Sequence, residues 1–255
     1  MRPTHATPAI VLRSRPYGES DKIVSLLTER YGKITGIAKG ALRSRKRFVN
    51  SLEPFSLVNL RFQERANANL VFILASDLTY GFRRLTTSLE LISHASYLVE
   101  ITDGLTGERD ENLALFEHLS GGLRHLEEHG SSLRFLTSFE LKLLKLAGYQ
   151  PVLDSCRRCG EDRLEHSSAQ WHFSPLDGGI LCELCARARK EVLPLGAAAV
   201  GILTALQAES SELPARISLP FSVVQEVRAA LLRFIQFHMD REIKSAPFLY
   251  QFSST

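Results

Sequence analysis

The chain holds four cysteines in two close pairs, Cys156-x2-Cys159 and Cys182-x2-Cys185, with twenty-two residues between the pairs. Each CxxC turn aims two sulfurs at one point, and two such turns complete a tetrahedral four-thiolate zinc site. Four thiolates leave no open coordination position, so the zinc expected here is structural rather than catalytic. Gly160, directly after the first pair, permits the tight backbone such a turn needs. His166 and His172 lie between the pairs as substitute ligands that a four-cysteine site does not require. Two other chemistries use the same motif. A thioredoxin-type redox site expects one CxxC in a βαβ setting, whereas two stand here among helical patterns. A zinc deaminase places H-x-E ahead of P-C-x-x-C. The chain's H-x-E is His125-Leu126-Glu127, and Ser155 and Leu181, not prolines, precede the two pairs. Four free thiols are the plain alternative.

A second chemistry is carried by KGALRSRKRF, residues 39–48. It places Lys39, Arg43, Arg45, Lys46 and Arg47 within nine positions, with no acid among them. Such charges repel one another, so the segment is either a solvated loop or a landing site for an anion. Phosphate backbones supply that anion, because each neutralised phosphate releases counterions. Arg15 and Lys22, near the first inter-strand connection, extend the basic surface. Tyr17, Tyr31 and Phe48 are candidate stacking surfaces for bases, with burial in the core as the competing role.

Other clusters carry less. His118, His125 and His129 lie among Glu117, Glu127 and Glu128 and read as a solvated helix face. The chain has no G-x-S-x-G elbow and no glycine-rich phosphate loop. No pair of acids stands out for acid–base work, so nothing in the sequence argues for catalysis.

These residues need a scaffold, and 255 residues suggest two or three domains. The net charge of +3 conceals a division: residues 1–85 hold 15 Lys+Arg against 6 Asp+Glu, and the remainder holds 16 against 22. A basic first third joined to an acidic remainder points to polyanion binding at one end. No apolar run approaches the ~20 residues that span a bilayer. The N-terminal segment is neither a signal peptide nor an acid-poor presequence, which makes a cytoplasmic location the default.

Runs at 8–13, 22–28, 33–38, 55–63 and 70–78 are rich in β-branched and aromatic residues, and turn formers separate them. ERYGK and RANAN join neighbouring runs as hairpins. Five strands in about eighty residues suit a small closed barrel, of which the oligonucleotide-binding fold is the common example. An SH3-like barrel competes. The basic segment then forms a long loop between the third and fourth strands. Beyond residue 85 the period becomes helical: Leu133, Leu136, Phe139, Leu143 and Leu144 form one apolar face, with Gly148 as a stop. A second such face covers 221–241, and weaker patterns lie at 87–103, 111–128 and near 195–208. The expected architecture is α+β and multidomain: an oligonucleotide-binding barrel over residues 1–82, then an all-α domain over 83–255 with the zinc motif inserted at about 154–190.

This order resembles the RecO family of bacterial DNA repair proteins. The resemblance rests on YGESDKIVSLLTERYGKITGIAKGALRSRKRF with the following LEPF, on FELKLLKLAGYQPVLDSCRRCG, on FSPLDGGILCELC, and on FHMDREIKSAPFL. It implies a recombination mediator that binds single- and double-stranded DNA and anneals complementary strands. It also implies work with RecR, and in some lineages RecF, to help RecA replace single-strand-binding protein. The family has no cofactor chemistry, and annealing needs no nucleotide hydrolysis, so the resemblance implies no enzyme. Carried onto this chain, the family's basic DNA-binding loop falls on Lys39, Arg43, Arg45, Lys46 and Arg47, with Leu42 where family loops often carry a basic residue. All four cysteines of the family's metal site are kept. A reading from another class is a zinc-containing adaptor whose basic barrel docks an acidic peptide tail.

Overall fold

The computed structural model describes residues 3–64, 70–164, 170–208 and 219–249. RANAN, read above as a hairpin turn, and His166 lie outside those residues. Contacts divide the chain into two compact units: residues through Gly130 with the stretch from Ile243 onward, and Ser131–Glu242.

The first unit begins with five strands, β1 (Thr4–Tyr17), β2 (Asp21–Thr28), β3 (Lys33–Ala38), β4 (Leu57–Gln63) and β5 (Val71–Tyr80). They pair in the order β1-β2-β3-β5-β4, and β4 returns to β1, closing the ladder into a barrel. Closure falls on a short parallel contact in which Gly36 faces Val71 and Ile37 faces Phe72. A side chain at Gly36 would meet Val71 and Ile73 at 2.7 Å, so glycine is what lets β5 come close there. Alternation puts Ala9, Val11, Val24, Leu26, Ile34, Val58, Leu60, Phe62, Val71 and Ile73 inside. Phe48 and Leu52, from the connection between β3 and β4, complete that core.

Helices α1 (Leu89–Leu105) and α2 (Leu113–His129) belong to the same unit. Ser88 caps α1 by accepting the Leu91 N–H, and Asn112 caps α2 by accepting the Leu115 N–H. Asp103, buried on α1, receives both Arg13 of β1 and Lys33 of β3. The Lys33 ammonium also donates to the Asp103 carbonyl at 2.7 Å. The Glu100 carboxylate accepts the backbone N–H groups of Lys244 and Ser245, tying the returning tail to α1.

The second unit contains α3 (Leu133–Leu146), a hairpin of β6 (Trp171–Ser174) and β7 (Gly179–Leu181), the short α4 (Glu183–Ala186), β8 (Leu193–Leu195), α5 (Ala197–Gln207) and α6 (Phe221–Met239). The helices follow the expected apolar faces, and Arg228 of α6 donates to the buried carboxylate of Glu140 on α3 at 2.5 Å. The all-α expectation needs one correction, because β7-β6-β8 form a three-stranded sheet. Its strands are three or four residues long, too short to show a period of two in the sequence. Phe173 packs edge-on against Phe234 at 5.3 Å and seats this sheet on α6.

Candidate metal centre and nucleic-acid interface

The first CxxC lies in a turn whose backbone closes on itself. The Cys156 N–H donates to the Glu161 carbonyl and the Gly160 N–H to the Cys156 carbonyl, each at 2.9 Å. Gly160 has φ 77°, the left-handed conformation expected for it. The second CxxC begins where β7 ends, and the Ala186 N–H donates back to the Cys182 carbonyl as α4 starts. Several contacts hold the turns together, among them the Cys182 N–H, which donates to the Cys156 sulfur. The Arg157 N–H donates to the Ile180 carbonyl on β7. Gly179 runs so close to Val152 that a Cβ would lie 2.2 Å from the Val152 carbonyl oxygen. Asp177, in the β6–β7 turn, accepts the Arg189 guanidinium, with Nε–Oδ2 at 2.8 Å, and the Ser174 hydroxyl at 2.6 Å. The Arg189 contact holds the Asp177 carboxyl below the usual carboxylate range against the opposing effect of burial.

These links bring the sulfurs of Cys156, Cys159, Cys182 and Cys185 within 4.8 Å of one another. The Cys159 and Cys182 sulfurs are 3.7 Å apart. A tetrahedron with bonds of about 2.3 Å places sulfurs about 3.8 Å apart, so the cluster has the dimensions of a four-thiolate metal site. Burial opposes ionisation of Cys156, yet backbone N–H groups of Cys159, Cys182 and Arg158 outweigh it and bring that thiol down to about 6. Burial pushes the Cys182 and Cys185 thiols up. His172 pairs with Leu181 across the hairpin and is not among the clustered ligands.

The basic segment occupies the connection between β3 and β4. Its root is fixed by Asp21, whose carboxylate accepts the Gly40 N–H at 2.8 Å and the Ser20 hydroxyl at 2.9 Å. The Gly40 bond first, then Ser20 and the nearby Lys39 charge, hold the Asp21 carboxyl below its ordinary value. The Leu42 N–H donates to the Ser20 carbonyl in the β1–β2 turn at 2.9 Å. Further on, Phe48 is buried in the barrel, the Arg47 carbonyl accepts the Ser76 N–H of β5, and the Ser51 hydroxyl donates to the Ser76 carbonyl. The connection is therefore anchored at both ends, with its cations between the anchors.

The seven cations singled out in the sequence separate into three groups. Arg43, Arg45 and Lys46 are exposed and pair with no carboxylate among the described residues; Lys39 and Arg15 are exposed as well. Arg47 folds back, donating to the Lys39 carbonyl at 2.8 Å with its guanidinium 5.0 Å from the centre of the Phe48 ring. Lys22 is mostly covered, and its ammonium lies 2.7 Å from the Glu53 carboxylate. Strand register explains the split. Arg15 and Tyr17 share one face of β1, whereas Lys22 faces Pro16 and Ala38 on the opposite, core-directed side. Of the three aromatics, Phe48 is buried, Tyr31 packs partly buried against the barrel core, and Tyr17 is 52% exposed. Asp21 and Glu53, which fix the loop and neutralise a lysine, were not singled out in the sequence. An acid opening a strand directly after a Gly-Glu-Ser turn is the signal that marks Asp21.

Residues 1–82 match the family model described as Recombination protein O N terminal, and residues 86–247 the one described as Recombination protein O C terminal. A DNA repair protein RecO from Syntrophus aciditrophicus is 34% identical over 246 residues, covering 96% of this chain and 94% of that one. The protein of the same name from Myxococcus xanthus is 36% identical over 244 residues, 95% and 96% of the two chains. That from Syntrophobacter fumaroxidans is 34% identical over 252 residues, 99% of each.

Proposed function

The chain belongs to the RecO family of DNA repair proteins, and from that premise we propose that it is a recombination mediator that binds single- and double-stranded DNA and anneals complementary strands. The observation that carries this reading is the anchored loop with Arg43, Arg45 and Lys46 exposed and without a carboxylate partner among the described residues. Residues 1–82 act as the nucleic-acid-binding domain. The strand order β1-β2-β3-β5-β4 supports an oligonucleotide-binding fold for it.

Two complementary strands repel through their phosphates. A surface that holds both by their backbones lowers that repulsion and leaves base edges free to pair. Arg43, Arg45 and Lys46 hold phosphates directly, with Lys39 and Arg15 at the margin. Arg47 stiffens the loop through the Lys39 carbonyl. Lys22 reaches a phosphate only by releasing Glu53. No covalent step is involved, so the chain is not an enzyme in this reading. RecR, RecA, RecF where present, and single-strand-binding protein are the partners, and the setting is cytoplasmic. Among the described residues no helix is long and apolar enough to cross a membrane.

Cys156, Cys159, Cys182 and Cys185 would hold a structural zinc ion, which supplies cross-linking of the two turns and no reactive position. The test of the function is annealing of two complementary oligonucleotides without nucleotide. Faster pairing than the strands achieve alone supports the reading. Binding to an acidic peptide with no affinity for DNA at moderate salt would replace it with the adaptor reading.

A further inference from the structure

The end of the barrel that carries the basic loop also exposes apolar groups. Tyr17 is 52% exposed and Leu42 45% exposed. Their positions are built rather than incidental. Tyr17 ends β1 and faces Asp21 across the β1–β2 ladder. Asp21 in turn holds the Gly40 N–H, and the Leu42 N–H is bonded to Ser20 in the same turn. The tyrosine therefore stands beside the root of the loop, on the strand face it shares with Arg15. Its strand face carries Arg15, and the loop whose root it adjoins carries Lys39, Arg43, Arg45 and Lys46, all exposed. Acids near it include Glu19 at the turn tip, Asp21 tied to Gly40 and Ser20, and Glu53 spent on Lys22.

Exposed cations alone bind the backbone of one strand or two with little distinction. An exposed aromatic ring set among them has a face for a base, and only an unpaired base can leave its stack to occupy it. We infer that Tyr17, with Leu42 as an apolar neighbour, takes one unpaired nucleobase and gives this surface its preference for single strands. The inference rests on the DNA-binding reading above and adds to it the residue that tells single strands from duplex. The contact is stacking, so the ring matters and the hydroxyl does not.

The experiment compares binding of a thymidine oligonucleotide and of a duplex of equal length to the full chain. Tyr17→Ala is expected to weaken the single-strand complex by about 5- to 150-fold, the range for losing one base–aromatic stack. The duplex complex should change by less than about twofold, since its bases stay stacked. Tyr17→Phe should match the parent for both ligands. In Tyr17→Trp, the new indole should be quenched by the oligonucleotide and not by the duplex; the native Trp171 is 1% exposed and gives a constant background. Equal weakening of both complexes by Tyr17→Ala, no weakening of either, or a Phe variant as poor as Ala overturns the inference. The underlying function is checked separately by replacing Arg43, Arg45 and Lys46 with Ala, which should weaken both complexes. If that triple variant binds both ligands like the parent, the loop is not the DNA site, and if the parent itself binds neither ligand, the DNA-binding reading fails, whatever Tyr17 does.

Discussion

At Cys156, burial favours the neutral thiol and three backbone N–H groups favour the thiolate, and the donors win, leaving the group at about 6. Its thiolate is the form favoured near neutral pH. Cys182 and Cys185, pushed up by burial, lose their protons only as the metal binds. The sign of the pH dependence follows. The raised thiols of Cys182 and Cys185 already let protons compete at neutral pH, and the depressed Cys156 thiol, which supports the metal above its own value, adds a further competing proton as pH falls through about 6. Zinc-loaded protein is therefore expected to hold its ion from pH 8 to pH 7 and to release it progressively below about 6, read with a chromogenic chelator. Binding at neutral pH should also release protons, those of Cys182 and Cys185 among them, measurable by titration in weak buffer. Uptake without proton release would contradict this account.

At the scale of elements, the β3–β4 connection combines a hydrophobic anchor with a charged crest. Phe48 lies in the barrel core while its neighbours Arg45, Lys46 and Arg47 stay in water. Glu53 limits the crest by occupying Lys22. Glu53→Gln is expected to tighten DNA binding and to steepen its log–log salt dependence by up to about 0.7 for single strands, one added phosphate contact. An unchanged slope would remove Lys22 from the interface. Much of this connection was legible in the sequence. Its cations form a run that no core could bury, and the flanking strands alternate plainly. What was not legible is which aromatic goes inward. Tyr17, Tyr31 and Phe48 look alike in sequence, and register decides among them: the β1–β2 ladder turns Tyr17 outward, and the return of the loop over β5 carries Phe48 in. The small sheet of the second unit was hidden for a related reason. Trp171–Ser174 and Gly179–Leu181 are specified by their fit to each other and to α6, not by any period of their own.

On the scale of the molecule, the two chemistries lie in different compact units: the cationic loop in the first, the cysteine cluster in the second. The cysteine spacing alone located the four-sulfur cluster. The compact units place α1, α2 and the returning tail with the barrel, a grouping that rests on Asp103 and Glu100, contacts formed across long stretches of sequence. Metal removal should respect the division. In zinc-loaded protein stripped by chelator, amide protection is expected to fall across residues 152–164 and 170–195 and to persist in β1–β5, read by hydrogen exchange. DNA affinity should survive, because no ligand cysteine belongs to the first unit. Loss of protection in the barrel would show that the metal supports both units.

The central claim is that the exposed cations of the β3–β4 loop hold polynucleotide phosphates, and the salt dependence of single-strand binding tests it most directly. With Arg43, Arg45 and Lys46 replaced by Ala, three phosphate contacts disappear, and the slope of log affinity against log salt should flatten by about 2. A variant with the parent's slope would contradict the claim and place the DNA elsewhere on the protein.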